Sequence, residues 1–484
     1  MNLKTILEQI QIKGIKGSVE IEISAPTFDS RKIEREGLYV AVTGTQVDGH
    51  SFIEDVIAKG ARVIICERFP EYLHTNVTYV QVSSSSAALG QIAANFYGRP
   101  SERMKLIGVT GTNGKTTTVT LLSQIFRRLG YNVGLLSTIQ NQINETVIPS
   151  THTTPDAIQI NELMHKMVEA ACAYCFMEVT SHAIVQNRVA GLHFEGGVFT
   201  NLTQDHLDYH NTMEEYFAAK KQFFDTLDNQ SFALSNIDDG RGHRILSDTR
   251  ASRHTYSLNA QADFTCNVIE NRQSGLALDI DGAVISLNLK GRFNAYNVLA
   301  AYGASVLLGA KKTALLEIIA QLKPIEGRFD FVPPVKGISG IVDFAHTPDG
   351  LEKILADLRE MRANEGRILT VIGCGGDKDK EKRPEMGRIA YENSDVLVIT
   401  SDNPRSEDPL AIIQEMQQDL PSHTGGRVLI IPDRREAIQK VCSIARVGDT
   451  ILVAGRGHER FQLIGDQKIP FNDKKVLEES LSAI

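Results

Sequence analysis

Residues 105–130 read "KLIGVTGTNGKTTTVTLLSQIFRRLG". A short apolar run with strand character ends in a glycine, passes through a polar turn, and enters a segment whose apolar residues recur at helical spacing. Strand, Gly-bearing loop, Lys, Thr and helix in that order constrain the fold more than any other stretch. The arrangement belongs to open α/β sheets, which place ligands where strands end and helices begin. It is also the arrangement that cradles phosphates. Backbone N–H groups and the helix N-terminus face the anion, the Lys reaches the terminal phosphates, and a hydroxyl binds Mg²⁺. The common G-x-x-x-x-G-K-[ST] spacing is not met, because Val109 stands where its first Gly belongs. Gly111, Thr112, Asn113, Gly114, Lys115, Thr116 and Thr117 form a variant of it, and ATP or GTP is the expected ligand.

The same alternation of short β-rich runs and helical patterns continues through all 484 residues, more chain than one core accommodates. Three α/β domains are expected. Residues 1–100 hold "GLYVAV" and "ARVIICE" and end at "FYGRPSERM", which reads as a linker. Residues 101–328 hold the phosphate loop and the strands "NVGLLST", "CFMEVTS" and "GGVFTNL", and "EGRFD" marks the boundary. Residues 329–484 repeat the pattern with "GIVDFAH", "RILTVIGCGG", "DVLVITSDN", "RVLIIPD" and "TILVAGRG". A net charge of −8 argues against a broad nucleic-acid surface. No apolar run approaches a membrane span and the first residues lack a signal-peptide pattern, so a cytoplasmic protein is expected. A monomer is the expected state of assembly, although nothing in the sequence determines it. The six cysteines are scattered. Cys172 and Cys175, within the apolar "EAACAYCFMEV", read as core packing.

Other residues carry candidate chemistry. Glu178 ends an apolar strand, where a carboxylate faces the ligand crevice, and by itself it reads equally as a ligand of a nucleotide-bound metal or as a surface residue. His206 and His210 stand four apart in "TNLTQDHLDYH", but the Glu of a zinc H-E-x-x-H motif is absent, so His206 reads better as part of the nucleotide–metal site, with capping and packing the alternative. In "TSDNPRSED" (400–408), Asp402, Asn403 and Pro404 are turn chemistry, whereas Arg405 is not required by the turn. By itself Arg405 reads first as a solvated surface residue, but a guanidinium held rigidly past a strand end is a good carboxylate fork.

Taken together, G-T-N-G-K-T-T (111–117), "TTPD" (153–156), "EVTSHAIVQNR" (178–188), "NLTQDHLDYH" (201–210), "GRFNAYN" (291–297), "EGRFD" (326–330) and "DFAHTPD" (343–349) resemble the Mur ligase superfamily, from "DSR" (29–31) to "GRGHE" (455–459). The resemblance implies three domains: an N-terminal α/β domain for a uridine nucleotide, a central ATPase domain with a mixed sheet, and a C-terminal Rossmann-like domain. It implies an ATP-dependent ligase of peptidoglycan precursor synthesis that acts on UDP-MurNAc-L-Ala-D-Glu. By matched motif positions, Ser30 and Thr45-Gln46-Val47 would hold the uridine end. Thr153, Thr154, Thr180, Gln186 and Arg188 would hold the muramoyl-dipeptide, with Thr180 in place of the usual Ser. Thr116, Glu178 and His206 would manage magnesium, and Asn294, Arg328 and Asp343 would contact the nucleotide. Lys220 reads by itself as a helix-surface Lys. The resemblance makes it a carbamylated Lys (N6-carboxylysine) for a second Mg²⁺, with Lys221 the adjacent alternative.

Within the superfamily, Asp-Asn-Pro-Arg implies meso-diaminopimelate as the incoming amino acid, Arg405 meeting its side-chain carboxylate. Gly455 and Glu459 would hold the distal end, and Lys378 would meet the other carboxylate where Arg is usual. Arg456 stands where Lys is usual. A lysine-adding or folylpolyglutamate-type ligase is opposed by Arg405 and by the N-terminal segment respectively. A nucleotide switch or transport ATPase is the alternative of a different class.

Overall fold

The computed structural model describes residues 1–44, 47–150, 152–362 and 366–484. It builds three α/β bodies, each on its own sheet. The first sheet has spatial order 12–16, 78–82, 63–66, 38–40, 26–27, and all but the 12–16 strand run parallel. The segment read as a linker is an ordered connection. Gly98 and Arg99 both take positive φ and reverse the chain, and buried Ser101 accepts a hydrogen bond from His193 N–H at 3.0 Å.

In the middle body, β1 (Lys105–Thr110) leads into α1 (Lys115–Arg128), followed by β2 (Val133–Leu136), β3 (Tyr174–Glu178), β4 (Gly196–Phe199), α2 (Met213–Asp225) and α3 (Phe293–Leu307). The eleven-stranded sheet places β1 between β3 and β4, all parallel. The chain leaves β1 toward one side for β2 and β3 and returns on the other side with β4, so the loop after β1 sits where the winding reverses. These strands are almost wholly buried, as expected of a parallel sheet covered on both faces. Val119, Leu122, Ile125 and Phe126 turn one stripe of α1 into the core with Phe176 and Val198. Cys172 and Cys175 are buried free thiols among apolar neighbours.

The third body contains β5 (Ile338–Asp343), β6 (Ile368–Ile372), α4 (Lys382–Asn393), β7 (Val396–Ile399) and β8 (Thr450–Ala454). Its six-stranded sheet is ordered 330–335, β5, β8, β6, β7, 428–430. A separate hairpin follows, β9 (Phe461–Ile464) with β10 (Gln467–Pro470). Among the described residues no helix is long and apolar enough to cross a membrane.

Candidate active site

Gly111 (φ +150°) and Gly114 (φ +88°) let the loop after β1 turn tightly. A Cβ at Gly111 would lie 1.9 Å from Thr200 Oγ1, and one at Gly114 would lie 2.5 Å from Asn297 Oδ1. The loop is pinned from the segment after β4. Asn201 Oδ1 accepts Asn113 N–H (2.9 Å), Thr200 Oγ1 donates to Asn113 C=O (2.6 Å), and Thr203 N–H donates to Thr112 Oγ1 (3.0 Å). Lys115 curls back over the loop and donates to the carbonyls of Gly111 and Thr112, both at 2.8 Å. Thr116 and Thr117 are buried on the first turn of α1.

Lys220 is not on the surface. It lies on the inner face of α2, 1% exposed, donating to Gly111 C=O at 2.9 Å and standing over the Tyr216 ring. Two lysine side-chain nitrogens therefore meet one carbonyl. Burial, reinforced by Lys115, pushes the Lys220 amine well below its ordinary value. Lys221 points the other way, to Asp225 and Asp248.

Glu178, fully buried at the end of β3, accepts Thr138 N–H (2.7 Å) and its hydroxyl (3.1 Å). Thr138 reaches Thr153 Oγ1 (3.1 Å), and Thr154 Oγ1 donates to Glu178 C=O (2.8 Å) while accepting Thr180 N–H (3.2 Å). Arg188 donates to Thr154 C=O (2.8 Å) and to Gln186 Oε1 (2.6 Å). Thr180 also caps the helix Ser181–Val185. Strand end, threonines, Gln186 and Arg188 thus form one connected group.

His206 (φ +58°) stands edge-on to His182, and burial depresses its basicity. Its neighbour Asp205 is buried against the third body, 3.4 Å from Lys382 Nζ and 3.7 Å from His346 Nε2. Burial opposes ionisation there, yet His346, His206 and Lys382 hold the carboxyl well below the usual range. His210 is spent on Ser181 Oγ at 2.9 Å.

The middle and third bodies also meet at the loop itself, where Asn113 Nδ2 donates to Asp349 Oδ2 at 3.0 Å. Arg328, at the junction, donates to Thr116 Oγ1 (3.0 Å) and lies over the Phe344 ring, with its Nε buried and unpartnered among the described residues. A cavity of about 160 Å³ opens beside it, lined by Lys290, Asn294, Pro324 and Phe331 among others. Asn294 turns its amide to Lys290 C=O and receives Asn297 Nδ2, so Asn297 rather than Asn294 touches the loop. Asp343 accepts Phe329 N–H and Ala345 N–H, each at 2.6 Å, and thereby fixes the backbone beside Arg328. Burial pushes this carboxyl up to about 6, against Arg328 and the two donors.

On the third sheet, the loops after β6, β7 and β8 converge. Asp402 caps Asn403 N–H (2.6 Å), and Gly455 (φ +113°) passes so close that a Cβ would lie 2.5 Å from Asp402 Oδ2. Asn403 donates to Glu459 Oε2 (2.7 Å), whose carboxyl is raised by burial and by Asp402. Arg456, fully buried, donates to Asn403 Oδ1 and to Phe461 C=O, both at 2.6 Å, two acceptors that suit a planar fork better than a point charge. Pro404 is buried. Arg405, partly buried with φ +52°, extends Nη1 to Gly376 C=O at 2.6 Å. Lys378 is exposed and near enough to His182 to disfavour its protonation. In the first body, Ser30 and Val47 follow the carboxyl ends of parallel strands, Ser30 C=O taking Lys59 Nζ at 2.9 Å. Thr45 and Gln46 lie outside the described residues.

Sequence reasoning missed Asp205, Lys382, Asn201, Thr138 and Asn297. Asn297 was signalled by standing three residues after Asn294 in "GRFNAYN", whereas nothing in "KDKEKRP" distinguishes Lys382.

Three sheets, a phosphate loop at a winding reversal and a charged junction above it define a class of nucleotide-dependent enzyme assembled from three α/β bodies. Family models match along the chain: the Mur ligase family, catalytic domain over residues 22–97, the Mur ligase middle domain over 109–305, and the Mur ligase, glutamate ligase domain over 327–457. The chain is 49% identical over its whole length, and that of the relative, to the UDP-N-acetylmuramoyl-L-alanyl-D-glutamate--2,6-diaminopimelate ligase of Cytophaga hutchinsonii. It is 48% identical to the ligase of the same name from Phocaeicola vulgatus, with 99% of each chain covered. A solved structure of a ligase of that name superposes with TM-score 0.69 at 29% identity, covering 100% of this chain and 99% of the other. A Mycobacterium tuberculosis folylpolyglutamate synthase in complex with ADP and AMPPCP shares the fold over 76% of this chain and 92% of its own, with TM-score 0.62 at 17% identity. The chain belongs to the Mur ligase family.

Proposed function

We propose that this ligase joins meso-diaminopimelate to the γ-carboxylate of D-Glu in UDP-MurNAc-L-Ala-D-Glu, consuming ATP, in peptidoglycan precursor synthesis. The observation that carries the reading is Arg405, set with Asn403 and Glu459 on the third body, which closes over the phosphate loop through Asn113–Asp349 and Asp205–Lys382. The relatives' shared name points the same way.

The chemistry needs two steps. A carboxylate resists an amine at neutral pH because oxide is a poor leaving group. Its oxygen first takes the γ-phosphoryl group and ADP departs. The amine nitrogen then attacks the acyl carbon, the bond to phosphate oxygen breaks, and the nitrogen gives up its proton. In this chain the loop N–H groups and Lys115 hold the phosphates in line, releasing the carbonyls Lys115 now occupies. Arg328 faces them from the junction, and the cavity beside Lys290 and Asn294 takes the base end of the nucleotide. Asp343 positions Arg328. Gln186, Arg188 and the threonines 153, 154 and 180 orient the dipeptide, while residues 1–100 hold the uridine end through Ser30 and the 45–47 turn.

The oxygen donors near Lys115, the Thr116 hydroxyl and the buried Glu178 carboxylate, suit magnesium, and the His206 imidazole lies beside them. Thr116, Glu178 and His206 would hold it, and Lys220 as a carbamate would supply a second anionic site. When bound, it neutralises charge spread over the transferring phosphoryl group. The depressed basicity of Lys220 suits it to carbamylation, in which a neutral amine adds CO₂ and loses a proton. Glu459 receives the distal ammonium and Arg405 the distal carboxylate of the diacid. Lys378 meets the other carboxylate. The functional division follows the sheets, at about residues 100 and 328.

The test is phosphate release that requires UDP-MurNAc-L-Ala-D-Glu together with an amine, measured with diaminopimelate and with L-lysine. Release without the amine, or equal use of the two amino acids, overturns the reading.

A further inference from the structure

Among the described residues the hairpin β9–β10 pairs with none of the three sheets, and Phe461, Ile464 and Ile469 of its strands are 40–50% exposed. A lone two-stranded hairpin is marginal in water. What holds this one is a set of bonds directed at one place. Gln462 Nε2 donates to Asp402 C=O at 2.5 Å, and Leu463 N–H donates to Asn403 Oδ1 at 2.8 Å. Arg405 N–H donates to Leu463 C=O at 3.1 Å, and Gly465 N–H returns to Arg405 C=O at 2.7 Å. Arg456, itself on Asn403, grips Phe461 C=O. The hairpin thus adds a strand-like bridge along residues 402–405, with Arg405 paired to Ile464.

The beneficiary is Arg405. Its φ of +52° is one that residues with a Cβ adopt rarely and at a cost, and both of its backbone polar groups are satisfied by the hairpin. Without those partners the left-handed turn has nothing to compensate it, and the guanidinium loses its aim.

We propose that the hairpin 461–470 is a specificity element, locking the backbone of Asp402–Arg405 so that Arg405 presents its guanidinium to the distal carboxylate of the incoming diacid, with Gln462 as the positioning residue. This rests on the assignment of the Arg405 end to diaminopimelate. Gln462 touches no substrate in this scheme. It is largely buried, and its amide satisfies the Asp402 carbonyl at the root of the turn.

Gln462→Ala and Gln462→Met, the latter keeping the buried stem if the former misfolds, are measured with Arg405→Ala and the double variants in the full enzyme. Loss of the donor leaves a buried carbonyl unpaired, so KM for diaminopimelate rises about tenfold. KM for ATP and for UDP-MurNAc-L-Ala-D-Glu stays within about twofold, and preference over lysine narrows. In the Arg405→Ala background the Gln462 change adds less than about twofold, because the residue it serves is gone. An equal rise in all three KM values, an unchanged KM for diaminopimelate, or a full effect persisting without Arg405 overturns the proposal. Arg405→Ala that leaves the diaminopimelate-to-lysine ratio unchanged overturns the substrate reading beneath it. A ratio narrowed by Arg405→Ala but untouched by Gln462 overturns the hairpin's role alone.

Discussion

The two ends of the site are built differently. The phosphate end is one continuous run, β1 to α1, whose glycines, lysine and threonines lie within seven residues, 111–117. Its neighbours Thr200, Asn201 and Thr203 only brace it. The amino-acid end is a convergence of the loops after β6, β7 and β8 with a hairpin, and its key side chain sits on a strained backbone. A continuous loop carries its charge wherever the chain goes, so damage to it should appear in the rate. A convergent pocket depends on bonds between distant segments, so damage there should appear in which amine is chosen.

The largest effect expected is from Lys115→Ala. Removing a preorganised cation from the transferring phosphates should lower kcat by about 10³-fold or more, with the fold retained by circular dichroism. Near-normal turnover would erase the distinction between the two ends. Lys220→Ala should cost about 10²–10³-fold, and added short carboxylic acids should partly restore turnover by occupying the vacated anionic position. Absence of a carbamate carbon signal in the 13C NMR spectrum of active enzyme equilibrated with 13C-labelled bicarbonate would overturn the carbamate.

At the other end, Arg405→Ala should reduce kcat/KM for diaminopimelate by roughly 10²-fold, chiefly through KM, and leave ATP affinity alone. A loss in kcat instead would mean that the amino-acid end acts on rate after all. The smallest effect concerns stability. Fully buried Arg383 donates to Glu407 (2.9 Å) and Gly375 C=O (3.1 Å), and Glu407 accepts Asp377 N–H (2.6 Å), tying the loops after β6 and β7 together. The Arg383 hydrogen bond holds Glu407 at about 2, below the ordinary 4.5. Its contribution is therefore complete above pH 4.5 and lost as pH falls toward 2. Glu407→Gln should lower Tm by a few degrees at pH 7, on the order of 1 kcal/mol, with the difference from wild type shrinking between those limits. A difference independent of pH would show that the pair does not brace the pocket electrostatically.

This contrast also explains what the sequence disclosed. The phosphate loop is local, and its residues point to their chemistry by the order strand, Gly-bearing loop, Lys, Thr and helix, even though the common spacing is not met. Glu178 was legible only in part, because a carboxylate at a strand end suits a metal ligand or a surface residue equally, and the structure decides only that it is buried. Lys220 was readable only through family resemblance, since the helical pattern of "EEYFAAKKQFF" does not say which of two adjacent lysines turns inward. Asp205–Lys382 joins residues 177 apart across two bodies, and no periodicity encodes such a pairing. The segment at 96–104 reads as a breaker because Gly and Pro interrupt it, yet the same residues make a tight, ordered reversal.

The left-handed arginine has a consequence for selection. At position 405 a glycine would adopt the same backbone without penalty, and an asparagine nearly so. On the proposed role of Arg405, a lineage screened only for heat resistance would drift toward Gly or Asn there, relieving the backbone while losing its discrimination between a diacid and a monoacid. If the wrong amine went unpunished in the cell wall, position 405 would be among the first to relax.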